Sequence, residues 1–330
     1  MESGVKPRKP DAFEGGQPDT WKAAVMASPG PESGRDALVL TLKGAAMGAA
    51  DTVPGVSGGT VALITGIYEK LLAAIRSVDS TFLFLLFRGN LKAATAHLHT
   101  RFLLFLFIGI AAAVLSLARI VSHLLSVYPV LTWSLFFGLI AASVWSVGRK
   151  AAPPSAGAAV LFIAGSLFAW NLVGLVPAAT PETLFFVFFS GMIAICAMIL
   201  PGISGAFILV LLGKYEFIVA TLRNPFLAEN MIVIAVFVGG CGAGLAGFSR
   251  LLKYLLERYR SLVLAFLTGL LLGSLRRIWP WKEWETGANT IPEVSLALIF
   301  PLGLMIAGAC LIIVLEWVSC GGRQTGSCRN

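Results

Sequence analysis

Charged residues are scarce in this chain. Only 13% of its 330 residues are Asp, Glu, Lys or Arg, against 57% hydrophobic, whereas soluble domains carry roughly 25% charge. So little charge excludes a soluble globular domain and makes this an integral membrane protein. Histidine is nearly absent, at His97, His99 and His123. The five cysteines (196, 241, 310, 320 and 328) show no metal-ligand spacing. Cys196, Cys241 and Cys310 lie in apolar runs and read as small core residues. Neither a metal nor a cofactor is expected. Residues 1–36 lack an apolar run long enough for a signal peptide, and their Pro, Gly and charge read as a disordered cytoplasmic tail. What charge there is leans positive, at +8. In a membrane protein that speaks of loop orientation and contact with anionic lipid, not of nucleic acid.

What is present is a repeat. Residues 44–76 align without a gap on 191–223 at an offset of 147 (201 − 54). Eleven of the thirty-three positions are identical: Gly44/Gly191, Ala50/Ala197, Pro54/Pro201, Gly55/Gly202, Ser57/Ser204, Gly58/Gly205, Gly66/Gly213, Tyr68/Tyr215, Glu69/Glu216, Ala73/Ala220 and Arg76/Arg223. At an offset of 131 (240 − 109) the match continues from Gly109, Ala112, Arg119, Leu124, Leu125, Tyr128, Gly138 and Ser143 to Gly240, Ala243, Arg250, Leu255, Leu256, Tyr259, Gly269 and Ser274. One deletion, in the loop after the second hairpin, reconciles the two offsets. The chain is an internal duplication, each half opening with an apolar hairpin broken at Pro-Gly.

Apolar stretches at 102–126, 129–148 and 156–176, and again at 230–250, 261–277 and 292–318, are long enough to span a bilayer as helices. Limbs 44–53 and 57–67 are shorter, and at 1.5 Å per residue each reaches about half of a ~30 Å core. That length suits a re-entrant pair with residues 54–57 at the midplane. Turning back puts Arg76, Arg88, Lys92, Arg101, Arg149, Lys150, Arg250, Lys253, Arg258, Arg260, Arg323 and Arg329 on the cytoplasmic side with both termini. The short 126–129 turn, 177–182 and the mixed-charge 213–229 loop fall outside, and only Arg276, Arg277 and Lys282 disagree with the pattern, beside an interfacial belt of Trp279, Trp281 and Trp284. A crossing hairpin instead places the basic 77–101 loop outside. The charge pattern favours the re-entrant reading. One non-crossing hairpin plus three spans is an odd unit, so the second copy is inverted. The expected fold is therefore all-α: repeat 1 over 37–176 with hairpin 44–76, repeat 2 over 177–318 with hairpin 189–223, and a flexible tail at 319–330. Inverted repeats with broken helices are a transporter architecture.

Irregular backbone survives at membrane depth only against protein or a wet cavity, so Pro54-Gly55 and Pro201-Gly202 mark hairpin tips or hinges. Ser57 and Ser204 take N-cap positions, ahead of Gly58-Gly59-Thr60 and Gly205. Amides at two helix starts suit a phosphate or carboxylate; ordinary capping is the plainer reading. Arg119 and Arg250 are matched arginines inside spans, where an Arg costs ~2.5–3.5 kcal/mol. They are candidate phosphate ligands or snorkelling side chains. Glu69 and Glu216 are gating or coupling acids, or solvated helix ends. Asp51, opposite Met198, is a protonation site or a structural partner of Arg119. Gly55-Val56-Ser57-Gly58-Gly59 also fits the G-x-S-x-G nucleophile pattern, but no strand precedes it and neither hairpin holds a His, which disfavours a lipid-phosphate hydrolase.

The phrases MGAADTVPGVSGGTVALITGIYEKLLAAI, GMIAICAMILPGISGAFILVLLGKYE, FFGLIAAS and GLLLGSLRRIWPW resemble one bacterial family, the polyprenyl-phosphate transporters, formerly a domain of unknown function (number 368). The resemblance covers residues 36–318. It implies a flippase of the bacterial inner membrane that returns undecaprenyl phosphate, the C55 carrier lipid of cell-wall synthesis, from the outer to the cytoplasmic leaflet. The matching motif residues are Asp51, Pro54, Gly55, Ser57, Gly58, Gly59, Glu69, Pro201, Gly202, Ser204, Gly205 and Glu216. Membrane lipids, protons or sodium as coupling ion, and a homo-oligomer are the other expected partners. A carrier of a small soluble anion is the competing expectation.

Overall fold

The computed structural model describes residues 20–52, 57–151, 155–175, 177–178, 180–283 and 288–320. The outer parts of both tails (1–19 and 321–330) and the Pro54-Gly55 break lie outside the described residues. The first half opens with α1 (Trp21–Ala27), α2 (Gly34–Asp51), α3 (Gly58–Ile64) and α4 (Tyr68–Arg76). Two short helices follow, α5 (Ser80–Phe87) and α6 (Leu91–His97), then the long α7 (Thr100–Val127), α8 (Pro129–Lys150) and α9 (Ala156–Leu172). The second half repeats the pattern without the two short helices: α10 (Leu184–Ile199), α11 (Gly205–Leu211), α12 (Tyr215–Arg223), α13 (Ala228–Arg258), α14 (Arg260–Ser274) and α15 (Ile299–Cys320). Among the described residues four helices are long and apolar enough to cross a membrane, or up to six if each bent pair is one span. This is the architecture of an all-helical multi-pass membrane protein.

Local sequence explains the breaks. Ser33 accepts from the Asp36 amide at 3.1 Å and donates to its carboxylate at 2.7 Å, so α2 begins ten residues before the expected hairpin (44 − 34) and inside the stretch expected to be disordered. α3 and α11 both stop at a glycine of positive φ, Gly66 at +71° and Gly213 at +63°. Only glycine takes that backbone readily, which explains this identity between the halves. Beyond it the chain swings through 117° into α4 and 108° into α12. Tyr128 and Tyr259, matched in the repeat, hold nearly the same backbone angles (φ −128°, ψ 56° and φ −133°, ψ 42°) and reverse the chain into α8 and α14.

The helices pair in parallel through glycines that let one backbone touch another, as small residues do in membrane bundles. A Cβ on Gly44 would overlap the Leu106 carbonyl oxygen, and one on Gly48 would sit 2.5 Å from that of Ile110. The contacts climb together, so α2 runs parallel to α7, and Asp51 lies beside the middle of α7. Gly240 on Phe188 and Gly244 on Met192 pair α13 with α10 in the same sense. The last helix of each half goes to the other half. Gly269 meets Phe162 and Gly273 meets Ser166, seating α9 along α14. Gly138 meets Met305, and Arg149 reaches Glu316 at 3.2 Å, seating α15 along α8. A third offset, 143 (308 − 165), relates these exchanged helices: Leu161, Ile163, Ala164 and Gly165 recur as Leu304, Ile306, Ala307 and Gly308.

The added helices α5 and α6 are tied down at Asp79, which caps α5 through the Phe82 amide at 2.9 Å and meets His97 Nε2 at 3.0 Å. Burial pushes the Asp79 carboxyl up, but the Phe82 amide and His97 together hold it below its ordinary value of 3.8. A lowered folded value means the stabilisation is complete at neutral pH and is lost only as pH falls through that value. Removing it at pH 7 therefore takes a substitution. Asp79→Ala, a cap loss of ~0.5–2 kcal/mol, should speed tryptic cleavage after Arg88 and Lys92 several-fold over wild type in detergent. Unchanged cleavage would show that the pair does not hold these helices.

Candidate functional site

The two broken hairpins meet. Ser57 caps α3, its Oγ accepting from the Gly59 amide at 3.2 Å and lying 3.5 Å from the Met198 carbonyl of the other hairpin. Thr60 Oγ1 accepts from the Gly202 amide at 3.0 Å, and the Tyr68 hydroxyl donates to the Ile199 carbonyl at 3.0 Å. Ser57 and Thr60 are only 2% and 1% exposed. Gly59 packs closely on the other hairpin, since a Cβ there would stand 3.0 Å from the Ile199 oxygen. Gly202 takes φ +86° and packs on Leu270, Leu271 and Ser274 of α14. Pro201 beside it is fully buried. The second break is thus wedged between α3 and α14, its backbone satisfied by side chains of the first half, as buried irregular backbone must be.

Asp51 completes this junction. Its Oδ1 accepts from the Gly58 amide at 2.7 Å, so a carboxylate sits where α3 begins. At the other end of α3 two lysines collect the last carbonyls, Lys43 on Thr65 at 2.7 Å and Lys150 on Ile64 at 3.3 Å. Charges of these signs at these ends complement a helix dipole. The second half departs from this pattern. Ser204 makes no side-chain bond to its helix, Gly205 packs on the Ala194 carbonyl, and Met198 stands where Asp51 has its counterpart.

A family profile described as undecaprenyl phosphate translocase-like matches residues 47–293, from the last turns of α2 to the segment before α15. The chain belongs to this family. It is 41% identical over 295 residues to a polyprenyl-phosphate transporter of Vibrio cholerae, covering 83% of this chain and 94% of that one. A polyprenyl-phosphate transporter of Staphylococcus aureus is 31% identical over 284 residues, covering 81% and 93%. No solved structure matches the chain.

Other residues singled out from the sequence lie apart from the junction in this member of the translocase-like family. Arg119 and Arg250 are exposed; Arg250 bonds the Ala246 carbonyl of its own helix at 2.8 Å, and no hydrogen bond or ion pair among the described residues joins either arginine to a hairpin. Glu69 pairs with Arg260 at 2.7 Å, both side chains more than half exposed. Glu216 is exposed. Among the described residues Ser57 Oγ has only backbone partners, and no group of three or more His, Cys, Asp and Glu is positioned for a metal. The residues the sequence reading passed over are Tyr68 and Lys150. For Tyr68 a signal existed, its identity with Tyr215 in the repeat.

Proposed function

We propose that the protein is a transporter of polyprenyl phosphate, and that it carries undecaprenyl phosphate from the outer to the cytoplasmic leaflet of a bacterial inner membrane for reuse in cell-wall synthesis. The observation that carries this reading is the similarity to two polyprenyl-phosphate transporters along nearly their full length. The junction between the hairpins gives it a route. An anionic head must cross hydrocarbon, while the apolar tail can stay in lipid.

In this reading each hairpin is re-entrant and the two halves are inverted repeats, 37–176 and 177–318. Parallel α2 and α7 support the first point, because both then start on one face and Asp51 ends level with the middle of a helix about 42 Å long. The reversals at Tyr128 and Tyr259, with α9 parallel to α14, support the second: α10 then runs opposite to α2. The face shared by the starts of α2 and α7 and the ends of α8, α13 and α15 is cytoplasmic, since Arg76, Arg88, Arg101, Arg149, Lys150, Arg258 and Arg260 gather there.

The head group would pass Ser57, Gly58, Gly59, Thr60, Ser204 and Gly205, with the Pro54-Gly55 and Pro201-Gly202 breaks as hinges and Arg119 and Arg250 as approach charges. Glu69, paired to Arg260, and Glu216 would be gates at the two surfaces. Asp51 and a phosphate are alternative anions for the Gly58 amide. Protonating Asp51 frees that amide as the lipid arrives, which couples flipping to a proton. The coupling matters because moving one negative charge inward against an inside-negative potential costs ~2.3 kcal/mol per 100 mV.

Reconstitution tests this. In proteoliposomes, labelled polyprenyl phosphate should change leaflets faster with an imposed proton gradient, while inorganic phosphate should not enter. Asp51→Asn keeps an oxygen for the Gly58 amide, as Asn caps as well as Asp, and should abolish the response to the gradient while leaving folding intact. Failure of the wild type to move lipid would end the transporter reading; a wild-type gradient response in Asp51→Asn would end the coupling role of Asp51.

A further inference from the structure

One large difference between the halves lies at the face opposite the cytoplasmic one. The link between the second and third long helices is 151–155 in the first half but 275–298 in the second. This longer link is built, not slack. Trp279 Nε1 donates to the Thr290 carbonyl at 2.8 Å, the Thr290 amide donates to Trp281 at 2.9 Å, and Asn289 Nδ2 donates to the Arg276 carbonyl at 2.9 Å. Trp279 packs edge-on against Phe137 of α8 with centroids 5.4 Å apart. Between this folded link, α9 and α14 is a cavity of about 520 Å³, within the ~300–1,000 Å³ span of small-molecule sites. Its walls are apolar (Phe137, Leu167, Leu272, Leu275), and among the described residues Arg276 is its one charged lining residue.

Arg276 is placed for a ligand. Its guanidinium stacks on Trp170 at 5.0 Å and gives one N–H bond, at 2.9 Å, to the Trp170 carbonyl, out of five donors. A Cβ at Gly174 would lie 2.5 Å from its Nη1, so the chain leaves room there for the guanidinium. Arg277 and Lys282 lie on the same link, Lys282 over the Trp133 ring at 4.9 Å. These three cations are the ones that break the positive-inside pattern of the loops, so setting topology does not explain them.

We propose that this cavity is the outer-leaflet docking site for a lipid with one phosphate head and a branched apolar chain, the chain lying against Phe137, Leu167 and Leu272 and the phosphate on Arg276. This rests on the polyprenyl-phosphate reading above and adds to it the place of first capture. It also gives the otherwise duplicated machine a side, since the equivalent link in the first half spans only 151–155, so loading is favoured from one leaflet.

The test uses the full chain in lipid nanodiscs and a photoreactive farnesyl phosphate, with farnesol and phosphatidylglycerol as competitors. Crosslinks should fall within 272–291, and unlabelled farnesyl phosphate should compete while farnesol competes at least about tenfold less well, as expected for loss of a charge-assisted contact; phosphatidylglycerol, whose phosphate is a diester carrying two acyl chains on glycerol, should also compete less well than farnesyl phosphate. Leu272→Trp, at a position 38% exposed, should fill the cavity and cut labelling about tenfold, and Leu167→Trp should do the same should the first variant misfold. Arg276→Gln should lower the affinity for farnesyl phosphate to that for farnesol. Gly242→Leu, on α13 with nothing within 4 Å of its Cβ position, should label normally. Wild-type labelling in both filled variants, or equal competition by phosphatidylglycerol, would overturn the site. If the site labels as described but reconstituted wild type moves no lipid, the site stands and the transport reading falls.

Discussion

Ser57→Leu should reduce polyprenyl-phosphate movement in proteoliposomes to the level of empty vesicles while the protein still inserts and elutes as a single species. Ser57 is almost fully buried, with the Gly59 amide on its Oγ and the Met198 carbonyl 3.5 Å away. Leucine removes the acceptor and adds volume where the hairpins touch. Overpacking of this kind costs ~1–3 kcal/mol, borne where the two hairpins touch. Ser57→Ala removes the cap alone, ~0.5–2 kcal/mol, and should retain a substantial part of the rate. Thr60→Val, close to isosteric, deprives the Gly202 amide of its acceptor and should fall between the two. Wild-type rates in Ser57→Leu would remove the junction from the transport path.

The second large effect concerns assembly. Gly138→Leu should abolish the accumulation of folded protein, because even a Cβ there overlaps the Met305 carbonyl oxygen and α8 cannot close on α15. Gly242→Leu is the matched control: on α13, with nothing within 4 Å of its Cβ position, it should express and transport like wild type. Measured by fluorescence-detected size exclusion, equal monodisperse peaks for the two variants would refute glycine-mediated packing of α8 on α15.

Much of this fold was legible because the repeat writes packing into identities. Gly44 and Gly191, Gly109 and Gly240, Gly138 and Gly269 match because each has a carbonyl of a neighbouring helix against it. Gly66 and Gly213 match because both need positive φ. The long helices follow from apolar length and end within a few residues of expectation at α7, α8 and α14. The exchange of last helices was harder to see, since α9 and α15 share few residues beyond Leu-x-Ile-Ala-Gly, and apolar pattern alone does not say which neighbour a helix chooses. The same limit applies to Arg119 and Arg250: matched position and low surrounding charge mark them, but a single helix's sequence does not say which face meets protein. For Asp51 the decisive partner was seven residues away, at Gly58, across a break whose geometry the sequence does not set.

The exchange of α9 and α15 has a consequence for synthesis. The partner of Gly138 is Met305, 167 positions later (305 − 138); at about 5–20 residues per second a ribosome needs roughly ten to thirty seconds to supply it. Until then Gly138 of α8 has no α15 carbonyl against it. α9, by contrast, waits only for α14. A nascent chain halted before residue 299 therefore lacks the α15 carbonyl that Gly138 packs on, although α14 already lies against α8. The packing of α8 is thus completed only by α15, even though the residues of the proposed crossing point are all made by residue 205.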